Sequence, residues 1–134
     1  MKFLKKKPFL GICVGMQLMA TTSEEFGEFE GLGWIEGKVK KMKSKILPHI
    51  GWNDITIKKD SKIFSGLDEH KDFYFVHSYC VQCPDESLVM ASADYGLHFH
   101  AALGKDNVFA VQFHPEKSGD NGLKLLQNFL SWQP

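Results

Sequence analysis

The first regular pattern along the chain is a short continuous apolar run, Phe9 to Ile12, the signature of a strand buried on both faces. It ends in Gly11-Ile12-Cys13-Val14-Gly15, and a helix is expected next, with Met16, Leu18 and Met19 on its apolar side and the polar Thr21 to Glu25 stretch and Gly27 closing it. Gly31-Leu32-Gly33 then turns into a strand expected around Trp34 to Met42. The outer half of that strand carries Lys38, Lys40, Lys41, Lys43 and Lys45, a row that reads as a solvated sheet edge protected against aggregation. Asp54 to Lys58 alternates, with Ile55 and Ile57 on one face, and Phe73 to Val81 reads as an aromatic-rich strand. Ser87 to Ala93, Leu97 to Leu103 and Val108 to Phe113 predict three more, the last two joined by the hairpin composition Gly104-Lys105-Asp106-Asn107. From Asp120 onward Leu123, Leu126, Phe129 and Leu130 recur at helical spacing, with Asp120 or Ser118 as N-cap. A strand-rich second half closed by a helix makes the fold class α/β.

Composition narrows the options. A length of 134 residues suits a single domain, residues 1–134, without internal repeat or linker. Sixteen acidic residues balance sixteen basic ones, so no net field draws the chain to nucleic acid or an anionic membrane. Every basic residue is Lys, which removes the forked guanidinium contacts that read guanine. No apolar stretch reaches the length of a membrane span. The odd count of cysteines, Cys13, Cys80 and Cys83, argues for reduced thiols and a cytoplasmic location. A basic Met1 to Lys7 followed by an apolar stretch imitates a signal peptide, but Pro8, the glycines and Gln17 interrupt it and no small-x-small cleavage site follows.

Candidate chemistry centres on Cys13. Gly-x-Cys-x-Gly at a strand-to-helix junction is the thiol counterpart of the serine nucleophile elbow, in which a tight turn strains the nucleophile and small neighbours allow close backbone approach. The following helix points its N-terminus at the sulfur, so a thiolate is expected, with the Val14 N–H placed to stabilise an oxyanion. On its own the motif fits a buried structural cysteine equally well. A thiol nucleophile also needs a base, and the base an orienting acceptor. Val108 to Phe113 leads directly into His114-Pro115-Glu116, where Pro115 biases His114 toward extended backbone and Glu116, two residues on, can fix its tautomer. Cys80-Val81-Gln82-Cys83 lacks the second pair of a zinc site and reads as packing at a strand end. His98 and His100 share a strand face without an evident third ligand, so neither a metal nor a cofactor is expected.

With these residues assembled, the sequence resembles the triad-type, class I glutamine amidotransferases. Within them it is similar to the glutaminase branch that serves imidazole glycerol phosphate synthase in histidine biosynthesis. The matching text is Pro8-Phe-Leu-Gly-Ile-Cys-Val-Gly-Met-Gln-Leu18, Ser23-Glu24-Glu25, Gly31-Leu-Gly33, Pro48-His-Ile-Gly-Trp-Asn53, Tyr74-Phe-Val-His-Ser-Tyr79 and Val111-Gln-Phe-His-Pro-Glu-Lys-Ser118. The resemblance implies a flavodoxin-like mixed sheet flanked by helices and hydrolysis of L-glutamine to glutamate and ammonia. Cys13 would be the nucleophile, His114 the base and then acid, and Glu116 its orienter. Gln17, His77, Ser78 and Tyr79 match positions lining the glutamine pocket. Trp52, Asn53 and Lys117 match positions facing the cyclase (synthase) subunit that receives the ammonia. The resemblance also implies N-terminal truncation, because family members carry strands and a second oxyanion donor ahead of the nucleophile strand. Weak or absent glutaminase activity of the chain alone is then expected, since one such donor is worth about 3 to 4 kcal/mol. Two alternatives stand beside this reading: a paralogue feeding ammonia to a surface-sugar amidotransferase, and a catalytically impaired remnant that only binds the partner.

Overall fold

A computed structural model describes residues 7–25, 27–67 and 71–134. In chain order the elements are β1 (Phe9–Ile12), α1 (Val14–Leu18), β2 (Thr22–Ser23), β3 (Phe29–Glu30), β4 (Lys38–Lys41), β5 (His49–Asp54), β6 (Thr56–Ile57), β7 (Asp72–His77), β8 (Tyr79–Gln82), β9 (Val89–Asp94), β10 (His98–Lys105), β11 (Val108–Val111) and α2 (Gly119–Leu130). The apolar run Phe9–Ile12 pairs in parallel with β11, Ile12 opposite Val111, and the hairpin β10–β11 continues the sheet in the order β1-β11-β10-β9-β6. Two smaller sheets follow, β3-β2-β4-β8 and β5-β7.

Strand alternation divides the core. Phe109 and Val111 of β11 face a cluster with Phe73, Phe75, Phe99, Phe113 and Leu125, whereas Ala110 faces a second cluster with Met16, Met19, Ile35, Val39 and Val81. Both faces of β11 are therefore covered. The strand β1 is only half-buried, because among the described residues it is the terminal strand of this sheet.

Several expected elements differ. The strand expected over Trp34 to Met42 shortens to Lys38–Lys41, since Ile35 N–H donates instead to Met19 O at 3.0 Å. It is also no edge: β4 lies between β2 and β8 with Val39 fully buried, so Lys38 and Lys40 solvate the opposite face of an interior strand, Lys40 pairing with Glu24 at 3.6 Å. Phe73 to Val81 divides at Ser78 into β7 and β8, which belong to different sheets. The strand expected over Asp54 to Lys58 shortens to β6, Thr56–Ile57, and it is preceded by β5, which had no alternating signal because Gly51, at φ 128°, and the polar Asn53 and Asp54 interrupt it. Ser87 to Ala93 begins as a 3-10 turn, Glu86–Leu88, capped by the Asp85 carboxylate. Leu18 of α1 is exposed, and Gln17 is buried in its place. On α2 the buried face is Gly122, Leu125 and Asn128, leaving Leu123 and Leu130 in solvent. Of the two expected N-caps, Ser118 holds the position but makes no side-chain cap bond, because its hydroxyl is used elsewhere.

Candidate active site

Cys13 sits where β1 stops, at φ 53° and ψ −104°, a left-handed backbone that costs a residue with a Cβ on the order of 1–3 kcal/mol. The surrounding sheet enforces it: Cys13 N–H donates to Val111 O at 2.8 Å, the next rung after Ile12 opposite Val111. A Cβ on Gly11 would lie 3.0 Å from the Gly15 carbonyl carbon and 2.8 Å from Met19 Cε, so a larger residue there would displace the Met19 side chain and press on the Gly15 backbone. Gly15 meets nothing within 4 Å, and the close approach expected of it does not occur.

The sulfur is enclosed. Cys13 is 7% exposed, and its sulfur lies 3.6 Å from Val76 O and 3.7 Å from the Gln112 side-chain nitrogen. Burial pushes the thiol up, opposed by hydrogen bonds from Val14 N–H and the Gln112 amide and reinforced by the negative charges of Glu116 and Glu25. Burial thus works against the thiolate expected from the elbow alone. A helix of only five residues carries too small a dipole to outweigh desolvation. Deprotonation must come from a base.

His114 follows β11, the strand next to the elbow, three residues beyond Val111, and its backbone N–H donates to Tyr74 O at 2.9 Å. Its Nδ1 is 2.9 Å from Glu116 Oε2, which leaves Nε2 as the ring nitrogen not engaged by the carboxylate. His114 has extended backbone at φ −105° and ψ 95°, as Pro115 requires, but Pro115–Lys117 then forms a 3-10 turn. The pairing with Glu116 therefore arises from a turn rather than from two same-side positions of an extended chain. Ser118 Oγ fastens this turn, donating to His114 O at 2.6 Å and accepting from Tyr74 N at 2.9 Å.

The remaining positions divide. Val14 is exposed, with its N–H on the Cys13 sulfur. Gln17 Nε2 donates to Tyr79 O at 3.2 Å, tying α1 to β8. Ser78 and Tyr79 are half-buried beside it. His77 points inward instead: it is buried, Nδ1 sits 3.0 Å from Tyr79 O, and burial first of all lowers its pKa to about 4. Both ring nitrogens are bound within the fold, so the side chain offers no free donor to a pocket. Trp52 is 57% exposed, stands edge-on to Tyr74 at 5.9 Å, and reaches the start of α2 at Gly119, two residues after the exposed Lys117. Asn53 follows Trp52 on β5 and so turns to the opposite face, donating to Asp94 O at 2.8 Å. Trp52 and Lys117 share a corner that Asn53 does not.

The other candidates are occupied locally. Cys80 and Cys83 are buried free thiols, burial pushing Cys80 up to about 11. His98 pairs with Asp94 at 2.9 Å, on the same face of β10 as the half-buried His100. Sequence reasoning missed Gln112, fully buried against the sulfur, and His49, buried against His77. A polar residue inside the apolar run Val108 to Phe113 was the available signal for the first.

Comparison with known proteins places the chain in a family. The family model described as glutamine amidotransferase class-I matches residues 1–132. The chain is 50% identical over 133 residues to the imidazole glycerol phosphate synthase subunit HisH of Leptospira interrogans, covering 95% of this chain and 65% of that protein. It is 52% identical over 130 residues to subunit HisH 1 of Campylobacter jejuni, covering 95% of this chain and 64% of that protein. The chain thus spans just under two thirds of the length of these relatives. A solved glutamine amidotransferase from Thermotoga maritima superimposes with a TM-score of 0.65 over 96% of this chain and 49% of that one, at 18% identity, showing a shared fold. With a family match running nearly end to end, over residues 1–132, this chain belongs to the class I glutamine amidotransferases.

Proposed function

We propose that the chain carries the glutaminase centre of imidazole glycerol phosphate synthase, releasing ammonia from L-glutamine for the cyclase subunit in histidine biosynthesis, in the cytoplasm. The observation that supports this most is the strained Cys13 at the end of β1, one strand over from a His114 whose Nδ1 is held at 2.9 Å by Glu116. His114 Nε2 takes the Cys13 proton, and the sulfur attacks the side-chain amide carbon of glutamine. The Val14 N–H stabilises the resulting oxyanion. Collapse breaks the C–N bond, His114 returns its proton to the departing nitrogen, and ammonia leaves a thioester. Water, deprotonated by His114, then releases glutamate and the thiol. Gln17, Ser78 and Tyr79 border the substrate, and Trp52 with Lys117 forms the corner that faces the cyclase, with Asn53 behind it. No helix among the described residues is long and apolar enough to cross a membrane.

The test is labelling by a glutamine-like chloroketone, read residue by residue by mass spectrometry. Cys13 should react saturably, faster than Cys80 or Cys83, with protection by L-glutamine and loss in His114→Ala. Equal reaction of the three thiols, or no protection by glutamine, overturns the assignment. Ammonia release measured with the cyclase subunit present, against a Cys13→Ala control, extends the test to turnover.

A further inference from the structure

The two histidines buried in β5 and β7 belong to a single hydrogen-bonded chain whose direction can be deduced. His49 and His77 are directly opposite in the β5–β7 pair, with His49 Nδ1 3.0 Å from His77 Nε2. Tyr79 O, 3.0 Å from His77 Nδ1, can only accept, so that nitrogen carries the proton. A neutral His77 must then accept at Nε2, which requires the proton of His49 on its Nδ1. His49 Nε2 is left as an acceptor, and Asn53 Nδ2 lies 3.4 Å away. The Asn53 amide is itself oriented, because its oxygen accepts from Asp54 N at 2.8 Å while the nitrogen donates to Asp94 O. Every donor therefore points the same way, from Asn53 through His49 and His77 to the Tyr79 carbonyl.

The surroundings keep both rings neutral. His49 is stacked between Phe75 at 4.8 Å and Tyr95 at 4.0 Å, and His77 lies 5.1 Å from Phe99. Burial lowers the pKa of each, and the neighbouring His49 and His114 depress His77 further. The relay ends where the chain changes sheets, at Ser78 between β7 and β8. Tyr79 O also receives Gln17 Nε2 at 3.2 Å, so both its lone pairs are used. Ser78 O accepts one hydrogen bond, from Met42 N at 2.9 Å.

We propose that His49, His77 and Asn53 are positioning residues: a one-way hydrogen-bonded relay that locks the Ser78–Tyr79 backbone against α1 immediately after the nucleophile. The relay deepens the proposed glutaminase reading, since the segment it fixes borders the substrate. With the Tyr79 carbonyl fully used and the Ser78 carbonyl turned to Met42, this segment meets glutamine through N–H groups or the Ser78 hydroxyl, and His77 does not touch the substrate.

The direct test needs no catalysis. In chain labelled with 15N-histidine, long-range 1H–15N correlation should show the Nδ1–H tautomer, the minority form of free imidazole, for both His49 and His77, each with a slowly exchanging Hδ1. In Asn53→Leu, the Nε2 resonance of His49 and, through it, that of His77 should both move. An Nε2–H tautomer at either ring, averaging between tautomers, or a His77 resonance indifferent to Asn53 overturns the relay. As a second arm, His49→Phe keeps the aromatic stack but removes the donor. The chloroketone concentration that half-saturates Cys13 labelling should then rise about three- to tenfold, the value of one internal hydrogen bond. An unchanged half-saturation overturns the positioning role. If the parent chain shows the tautomers but no saturable labelling, the glutaminase reading has failed and the relay has not.

Discussion

Gly122→Ala gives the sharpest test of how α2 holds the His114 turn, because helix propensity and packing predict opposite signs. Gly122 lies in the first turn of α2 and is buried, its N–H donating to Ser118 O at 3.2 Å. In an unpacked helix the exchange to alanine stabilises by about 1 kcal/mol. Here the new Cβ would fall 1.9 Å from Pro115 O, 2.8 Å from Pro115 C and 2.9 Å from Ser118 Cβ. The contact with the oxygen is about 1.5 Å short of the 3.4 Å where ordinary contact begins, and the atoms met first are backbone, which no rotamer change can move. Overpacking of this kind costs about 1–3 kcal/mol, at the upper end when neither side can yield, so after the propensity gain a net loss of about 1–2 kcal/mol is expected. For a chain this size that lowers the thermal midpoint by roughly 3–8 °C, measured by far-UV circular dichroism. Pro115 lies between His114 and Glu116, so the shift also disturbs the 2.9 Å pair and should slow Cys13 labelling by the chloroketone. A midpoint equal to or above that of the parent refutes the argument that this glycine exists for close approach.

Gln112→Leu removes a donor to the Cys13 sulfur together with a buried side-chain oxygen that has no partner, so stability should stay within about 1 kcal/mol. Alkylation of Cys13 at pH 7 should meanwhile slow about three- to tenfold, and an equal or faster rate contradicts the assigned contact. The depressed His77 pKa means that the unfolded chain binds its proton first on acidification. That contribution is complete above about pH 6.5 and is lost as pH falls towards about 4, an effect of the order of 3 kcal/mol in urea unfolding that should shrink in His77→Gln. Glu116→Ala breaks a half-exposed pair and should change stability by less than about 1 kcal/mol, yet lower ammonia release with the cyclase by about 10²–10⁴-fold; a small drop removes Glu116 from the centre.

Local sequence was sufficient for the features that need only neighbours in the chain. The elbow was legible because Gly11, Cys13 and Gly15 bracket a strand end, and His114 with Glu116 because Pro115 stiffens the link between them. The β10–β11 hairpin was legible from the turn composition at Gly104 to Asn107. Errors fell where a residue's environment comes from elsewhere. Phe73 to Val81 reads as one strand because hydrophobicity does not record a change of partner, and only the pairing of β7 with β5 and of β8 with β4 breaks it at Ser78. The lysine row of β4 was assigned to an edge because a run of charges looks the same whether or not both flanks are hydrogen-bonded.

The sequence by itself determined which side chains are candidates for the chemistry, since thiol, imidazole and carboxylate are matters of composition and spacing. Tertiary structure decided their state. Burial, not helix polarity, sets the protonation of Cys13, a buried carbonyl turns His77 from a pocket residue into a link in a relay, and Gln112 acquires its sulfur contact from a strand about a hundred positions away. Desolvation and hydrogen-bond partnership depend on everything within a few ångströms, and a linear order of residues does not contain that information.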